Sequence, residues 1–246
     1  MFKKIVNLFL SHFGYKFSKI NQREDIIKLT RHIVKKKNPT IFDIGTHEGE
    51  TLDKFREIFP NAYFHCFEPI KISFNKLYKN YACKNIRLNN LALGRKKQKK
   101  LFYQYKKIDT SSFYLVNKKN KWLDIASKRA NIEKSKFLER KYKVPIIKLD
   151  DYVRENKIKF IDILKIDTQG YELEILKEFL NTIKNKKINC IILEIILSDT
   201  YSKNFSFYEI EKILVRKNYR LYANDNYGNL KQDPNYQMNL LYYLNK

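Results

Sequence analysis

The stretch Ile41-Phe42-Asp43-Ile44-Gly45-Thr46-His47-Glu48-Gly49-Glu50 decides how the rest of the chain reads. An apolar run ends on an acid, two glycines follow at G-x-x-x-G spacing, and helix-compatible sequence comes next. That pattern predicts a strand, a tight turn and a helix N-terminus. In an α/β sheet small ligands bind beyond the carboxyl ends of the strands, where such a turn lies, so it is a candidate cofactor loop.

Working outward, the chain alternates. A helix is predicted from Ile20 to Lys37, a strand from Thr40 to Ile44, and a helix from Glu50 to Phe59 that stops at Pro60-Asn61. A second strand spans Ala62 to Phe67, a helix Ile70 to Tyr81, and a third strand Ile86 to Leu93, running into Gly94. This β-α-β-α-β order implies a parallel sheet with right-handed crossovers. From Arg95 the character changes: Leu101 to Tyr105 alternates like a strand, and a lysine-rich, glycine-free stretch follows to about Lys143. Strands return at Val144 to Leu149, Phe160 to Ile166 and Ile188 to Ile196, with helices at Glu172 to Leu180 and Phe207 to Arg216. Tyr219 to Ala223 and Asn239 to Leu244 close the list of strands, with a turn expected at Asp225 to Gly228. No repeat or linker divides the chain. We expect an N-terminal basic amphipathic and helical segment over 1–38 and one domain over 39–246, in which 106–143 forms a lid or substrate wall.

The chain of 246 residues, 43% hydrophobic and 15% aromatic, can bury a substantial core and is not a disordered composition. A formal charge of +24 invites a nucleic-acid or anionic-membrane reading. The excess is carried mainly by lysine, beside abundant Asn, Ile and Tyr, as AT-rich codon usage produces. Arginine is the better bidentate phosphate reader, so the charge speaks weakly for nucleic acid. Cys66, Cys83 and Cys190 are odd in number and lack C-x-x-C spacing, which excludes a disulfide framework and a zinc site of that kind. A reducing, cytoplasmic compartment fits, and Cys66 and Cys190, inside apolar runs, are expected to be buried. The N-terminus has no small-residue cleavage site and Asn7 interrupts its apolar run, so export is not expected. Phe2, Ile5, Val6, Phe9, Leu10 and Phe13 share a helical face flanked by lysines. That face suits either the inner surface of an anionic membrane or packing against the domain body or a second subunit, as in a homodimer.

Three predicted strands end on an acid, namely Asp43, Glu68 and Asp167, and Glu194 interrupts a fourth near its end. Carboxylates are costly in a core, and a strand-end acid is commonly only a helix cap. Several on one rim, however, make a ligand site. Glu68 follows the glycine turn at the distance where an acid takes both hydroxyls of a ribose. The turn lacks the G-x-G-x-x-G spacing that holds a pyrophosphate. It suits a ligand with a ribose and an amino-acid tail, Asp43 or its neighbours meeting the ammonium and backbone N–H groups near Gly45 and Gly49 the carboxylate. S-adenosylmethionine is such a ligand.

Phe42 to Glu50, then Phe67-Glu68-Pro69, Asn90-Leu91-Ala92-Leu93-Gly94, Leu149-Asp150, and Leu164-Lys165-Ile166-Asp167-Thr168-Gln169-Gly170-Tyr171-Glu172 stand in an order that resembles FkbM-family methyltransferases. The resemblance spans about residues 40–200, and the K-I-D-x-x-G-x-E block is its most particular part. It implies a Rossmann-like class I methyltransferase fold, a mostly parallel twisted sheet of about seven strands with helices on both faces. It also implies O-methylation of a hydroxyl on a sugar, glycan or related small metabolite, with S-adenosylmethionine as cofactor. Asp43, Gly45, Thr46 and Gly49 would form the cofactor turn, Glu68 would hold the ribose, Ala92 would lie near the adenine, and Asp167 near the methionine end. Thr46-His47 replaces the more usual Ala-Asn, and Gln169 stands where the family often has Glu. Asp167, Glu194 and His47 are the candidate catalytic groups for in-line attack of a hydroxyl on a methyl sulfonium. No metal site is expected.

The competing expectation is a nucleic-acid-binding protein or RNA methyltransferase, motivated by lysines interleaved with Tyr103, Tyr105, Tyr114 and Trp122. No Asn/Asp-Pro-Pro-Tyr motif or RNA module supports it, and nucleic acid is not the expected partner. An NAD enzyme is disfavoured by the turn spacing.

Overall fold

The computed structural model describes residues 25–182, 188–227 and 237–245. The N-terminal apolar face, with the questions of export and membrane contact that rest on it, lies outside the described residues. Helix α1 (Ile26–Ile33) is followed by β1 (Thr40–Ile44), α2 (Glu50–Ile58), β2 (Tyr63–Phe67), α3 (Lys71–Tyr81) and β3 (Ile86–Asn89). The two-residue strand β4 (Ala92–Leu93) and the longer β5 (Gln98–Tyr105) lead to α4 (Lys121–Ala130) and β6 (Leu138–Ile147). Then come α5 (Leu149–Glu155), β7 (Ile161–Ile166), α6 (Glu172–Thr182), β8 (Ile188–Ile196), α7 (Phe207–Val215), β9 (Tyr219–Tyr227) and β10 (Gln237–Leu244).

Seven strands form one sheet in the order β3-β2-β1-β7-β8-β10-β9. The first five run parallel, and β10 is antiparallel to both β8 and β9. The order reverses between β1 and β7, and at such a switch point the loops diverge and leave a crevice. All six residues of β7 are buried, as expected of a parallel strand covered on both faces. Ile41, Leu52, Phe55 and Ile163 pack with Ile26 and Ile27 on one face, so α1 and α2 lie there. Phe42, Leu164 and Ile191 pack with Tyr152, Leu176 and Ile210 on the other, beneath α5, α6 and α7. Burying side chains of this size contributes roughly 1.5–3 kcal/mol each. This is the Rossmann-like α/β layering expected. Cys66 and Cys190 are buried and Cys83 exposed, all three free.

Four local expectations are corrected. Within the described residues α1 ends at Ile33 rather than Lys37, because Val34 takes extended backbone and is buried in the core. The predicted third strand is two strands: Asn90 donates through its side chain to the carbonyls of Glu68 (2.9 Å) and Pro69 (3.2 Å), and beyond it Ala92 and Leu93 pair with Ile146 and Ile147 in a second sheet. Leu149 opens helix α5 rather than closing a strand. Asp225 continues β9, because Asn239 of β10 stands opposite it in the ladder, so the expected turn does not begin there.

The stretch after Gly94 joins β4 in the second sheet, ordered β4-β6-β5, with β5 and β6 antiparallel. With α4 it forms its own cluster, in which Tyr105, Val116, Leu123 and Phe137 pack with Ile196 and Tyr201. This excursion lies over the carboxyl ends of β7 and β8. No described helix is long and apolar enough to cross a membrane.

Candidate active site

A cavity of about 520 Å³ opens at the switch point between β1 and β7. Its size falls within the roughly 300–1,000 Å³ typical of small-ligand sites. One end is apolar, lined by Phe67, Ile70, Leu91, Ala92, Phe102 and Phe113. The other is polar, lined by His47, Lys165, Asp167, Gln169, Glu194 and Gln237. Between them stands Glu68.

The β1 turn is built for close approach. Gly45 has φ 82°, and a Cβ there would overlap the backbone carbonyl oxygen of Asp167. Its N–H donates to the Phe67 carbonyl at 2.9 Å, and the Gly49 N–H to the Thr46 carbonyl at 3.1 Å. Both groups are satisfied within the protein, so these two N–H groups are not among those left to meet a ligand carboxylate. Gly45, Thr46 and His47 line the cavity, whereas Gly49 does not. Gly49 instead lies against the Tyr81 ring.

Asp43 is corrected too. It is fully buried and absent from the cavity wall. Its Oδ1 lies 3.2 Å from Lys165 Nζ. Strand register explains this: Asp43 stands opposite Lys165, whereas Asp167 continues past the end of β1 with its N–H on the Ile44 carbonyl at 3.0 Å. Asp43 is therefore two residues deeper than the rim. Lys165 also reaches Asp167 Oδ2 at 3.4 Å. Burial opposes the charge on Lys165, but Asp43 and Asp167 overcome it and hold the ammonium above its ordinary range.

Glu68 does face the cavity, at the end of β2. Its Oε1 accepts from the Ile70 N–H at 2.7 Å and its Oε2 from the His47 N–H at 2.9 Å. Burial nonetheless pushes its carboxyl up to about 8. His47 adopts φ 54°, costly for a residue with a Cβ. Its Nδ1 lies 3.2 Å from Glu50, and its Nε2 is buried with no partner in the protein. With Nδ1 turned to Glu50, Nε2 is the ring nitrogen left for a ligand.

At the polar end Gln169 ties two acids together. Its Nε2 donates to Glu194 Oε2 at 2.6 Å and Asp167 Oδ1 at 3.1 Å. Gln237 donates to Glu194 Oε1 at 3.0 Å. Burial and the neighbouring Asp167 hold the Glu194 carboxyl well above the usual range, so it is neutral and donates to Asp167. Burial also opposes ionisation of Asp167, but Lys165 and the hydrogen bonds from Glu194 and Gln169 bring its carboxyl below the ordinary range. The pair therefore shares one proton, and the two directions put it toward Glu194. Gln169 has φ 55°, and Tyr201 Oη, which also donates to the Thr110 carbonyl (2.7 Å), donates to its Oε1 at 3.1 Å. Ser112 Oγ donates to the Gln169 carbonyl at 2.7 Å. Nearby, Glu172 caps its own helix, accepting from the N–H groups of Thr168 (2.6 Å) and Gly170 (3.2 Å).

Of the residues expected from sequence, Gly45, Thr46, His47, Glu68, Ala92, Asp167 and Glu194 come together around the cavity, and Asp43 and Gly49 do not. Lys165, Tyr201 and Gln237 went unassigned. Lys165 had a signal, a cation inside an apolar strand. Tyr201 and Gln237 had none, since only the fold brings them to Gln169 and Glu194.

Compared with protein-family models, the chain matches the methyltransferase FkbM domain over residues 43–221. No curated protein sequence matches it. Among solved structures it is similar to a precorrin-6y C5,15-methyltransferase from Geobacter metallireducens, at 10% identity over 93% of each chain, with a TM-score of 0.44. It is also similar to TrmK of M. capricolum in complex with S-adenosyl-homocysteine, at 12% identity over 89% of this chain and 68% of that one, TM-score 0.46. The plantazolicin methyltransferase BpumL, likewise in complex with S-adenosyl-homocysteine, aligns at 11% identity over 89% and 81%, TM-score 0.45.

Proposed function

The chain belongs to the methyltransferase FkbM domain family, and from that premise we propose that it is an S-adenosylmethionine-dependent O-methyltransferase acting on a hydroxyl of a sugar, glycan or related small metabolite. The observation that carries this reading is the acid pair Asp167 and Glu194, tied together by the Gln169 amide at 3.1 and 2.6 Å on the wall of a cavity that Leu91, Ala92, Phe102 and Phe113 also line. The residues present fit the cofactor. Leu91, Ala92, Phe102 and Phe113 offer a dry slot for a flat base, and Glu68 stands where ribose hydroxyls would meet a carboxylate. The orphaned Nε2 of His47 awaits a hydrogen-bond partner, such as a ribose hydroxyl. Asp43 takes no direct part; it holds Lys165, which in turn holds Asp167 in its charged form.

Bound there, S-adenosylmethionine supplies a methyl group on a positively charged sulfur, which an oxygen can attack in line. The chain's own part is to align and to manage one proton. Asp167 accepts a hydrogen bond from the acceptor hydroxyl, which aims an oxygen lone pair at the methyl carbon. Asp167 is also the group placed to take the hydroxyl proton once the acceptor oxygen is methylated by the group that S-adenosylmethionine would supply. A carboxylate held below its ordinary range is a weak base, so most of its contribution is orientation and stabilisation of the hydroxyl as it loses its proton. Glu194, neutral and hydrogen-bonded to Asp167, keeps a second negative charge out of the site. The excursion over 106–143 supplies the acceptor-facing wall through Ile108, Thr110, Trp122 and Ile125.

Titration calorimetry of the full chain with S-adenosylmethionine and with NAD tests the reading. Heat with the former and none with the latter is expected. Folded protein giving no heat with S-adenosylmethionine would overturn it.

A further inference from the structure

Charge is sorted across the cavity. The carboxyl groups Glu68, Asp167 and Glu194 come from strand ends on the inner side, with Lys165 the cation among them, and Glu50 at the start of α2 lines the cavity as well. The outer wall presents Lys107, Lys121 and Arg129, and its lining carboxylate, Asp109, is ion-paired with Lys107. A basic residue on a chain of net charge +24 is unremarkable by itself. What is informative is how α4 arranges its charges. Lys121, Ile125 and Arg129 recur at the four-residue spacing that makes one helical stripe, and all three line the cavity with Trp122 and Ala126. The acid of the same helix, Asp124, is not on that wall and is ion-paired with Lys134. Among the described residues Lys121 has no ion-pair partner. It stands in the first turn of α4, where Asn120 caps the Trp122 N–H at 2.7 Å. A cation there opposes the positive end of the helix dipole, so its placement is not explained by helix stability.

Resting on the methyltransferase reading, we propose that the outer wall is a subsite for an anionic group on the acceptor, a phosphate or carboxylate carried by the hydroxyl-bearing molecule. The inner side offers one ionised strand-end carboxylate, Asp167, toward the sulfonium end that a cofactor would present, and the basic wall suits an acceptor that carries an anion. Lys121 meets the anion, and the indole of Trp122 covers the sugar or carbon skeleton beside it. The stripe from Lys121 to Arg129 is about 12 Å long at the helical rise, enough for a monosaccharide with a charged substituent.

Trp122 is the chain's one tryptophan, so its fluorescence reports occupancy of this wall without any turnover. The test is titration of the full chain with glucose 6-phosphate, glucuronate and glucose, each with and without saturating S-adenosyl-homocysteine. The two charged probes separate phosphate from carboxylate as the preferred anion. We expect at least one of them to bind about tenfold more tightly than glucose, the worth of one charge-assisted contact. Lys121→Glu should abolish that preference and Lys121→Arg should retain it. A paired reversal at exposed sites away from the cavity, Lys96→Glu with Lys97→Glu, should leave it unchanged. Equal response to all three probes, a preference that survives Lys121→Glu, or equal loss in the Lys96/Lys97 control would each overturn the proposal. Calorimetry with S-adenosylmethionine on the same protein keeps the two readings apart. Cofactor heat without anion preference removes the subsite alone, and anion preference without cofactor heat removes the methyltransferase reading alone.

Discussion

Asp43 and Asp167 belong to the neighbouring parallel strands β1 and β7, each follows an apolar run, and each is followed by a left-handed glycine at the turn. They do opposite work. Asp43 has no exposed surface and pairs with Lys165 inside the sheet, while Asp167 keeps 28% of its side chain open and faces the cavity. The difference is one of register, since Lys165, not Asp167, stands opposite Asp43. An acid at the end of an apolar run is therefore not yet a rim acid. Pairing between strands decides which carboxylate meets a ligand and which one is spent on holding a neighbour's charge.

The largest expected effect attacks the buried half of this contrast. Lys165→Met leaves the fully buried Asp43 without its cation, and breaking such a pair costs about 3–5 kcal/mol. Urea unfolding should show that loss, and adding Asp43→Asn should recover much of it. A loss below about 1 kcal/mol would mean that Asp43 is already neutral in the folded protein. Next, exchanging the acids for amides should separate their roles. Asp167→Asn should lower kcat by about 100-fold, within the range for a positioned acid–base group. It should change unfolding free energy by less than about 1 kcal/mol, as its side chain keeps contact with water. Asp43→Asn should instead lower stability by removing the nearer of the two carboxylates that pair with Lys165. The contrast collapses if both variants lose turnover equally at unchanged stability.

Glu68 sharpens the comparison through pH. Its carboxyl is raised from 4.5 to about 8 by burial, so the folded chain keeps a proton that the unfolded chain has released. Between those values the native state binds more protons, and raising pH favours unfolding. The stabilising contribution is complete below about pH 4.5 and lost as pH rises through about 8. Glu172, raised to about 7, acts in the same direction. Glu68→Gln should therefore flatten the fall in stability toward alkaline pH, by about 4 kcal/mol between pH 5 and 9. The same variant should weaken S-adenosylmethionine binding at pH 9 more than at pH 6, because only the ionised carboxyl accepts both ribose hydroxyls. An identical stability profile for variant and parent would show that Glu68 ionises normally.

Much of this architecture is legible in the sequence because the parallel strands are continuous apolar runs and their turns carry glycines at fixed offsets. Asp167, Glu194 and Glu68 were legible for the same reason, each being a carboxylate set against an apolar strand. Asp43 was misread because register is a property of two strands together, which no single run contains. Gly49 was misread because its left-handed backbone serves a contact with Tyr81 of the next helix, not a ligand. The break at Asn90 depends on its side chain finding the Glu68 and Pro69 carbonyls, far away in sequence. Tyr201 and Gln237 carry no local pattern at all, and reach the acids only because β8 and β10 are adjacent and the chain after β8 folds back over Gln169.

The smallest expected effect tests whether Asp167 is held in place from outside the sheet, as Asp43 is from within. Tyr201 donates one hydroxyl proton to two acceptors, the Thr110 carbonyl and Gln169 Oε1. Tyr201→Phe removes that donor while keeping the ring that packs with Tyr105 and Ile196. The loss should be about 1 kcal/mol, or roughly fivefold in kcat, as for one neutral hydrogen bond. Because the hydroxyl touches neither acid, its influence must pass through Gln169, and that makes the prediction specific. In a Gln169→Leu background the same change should cost nothing more in kcat, since residues acting in one network are non-additive. It should also move the limb of the pH–rate profile set by Asp167 and Glu194 in the single variant and leave it unmoved in the double. Additive losses would mean that Tyr201 merely packs the excursion onto β8, and that the acid pair needs no external clamp.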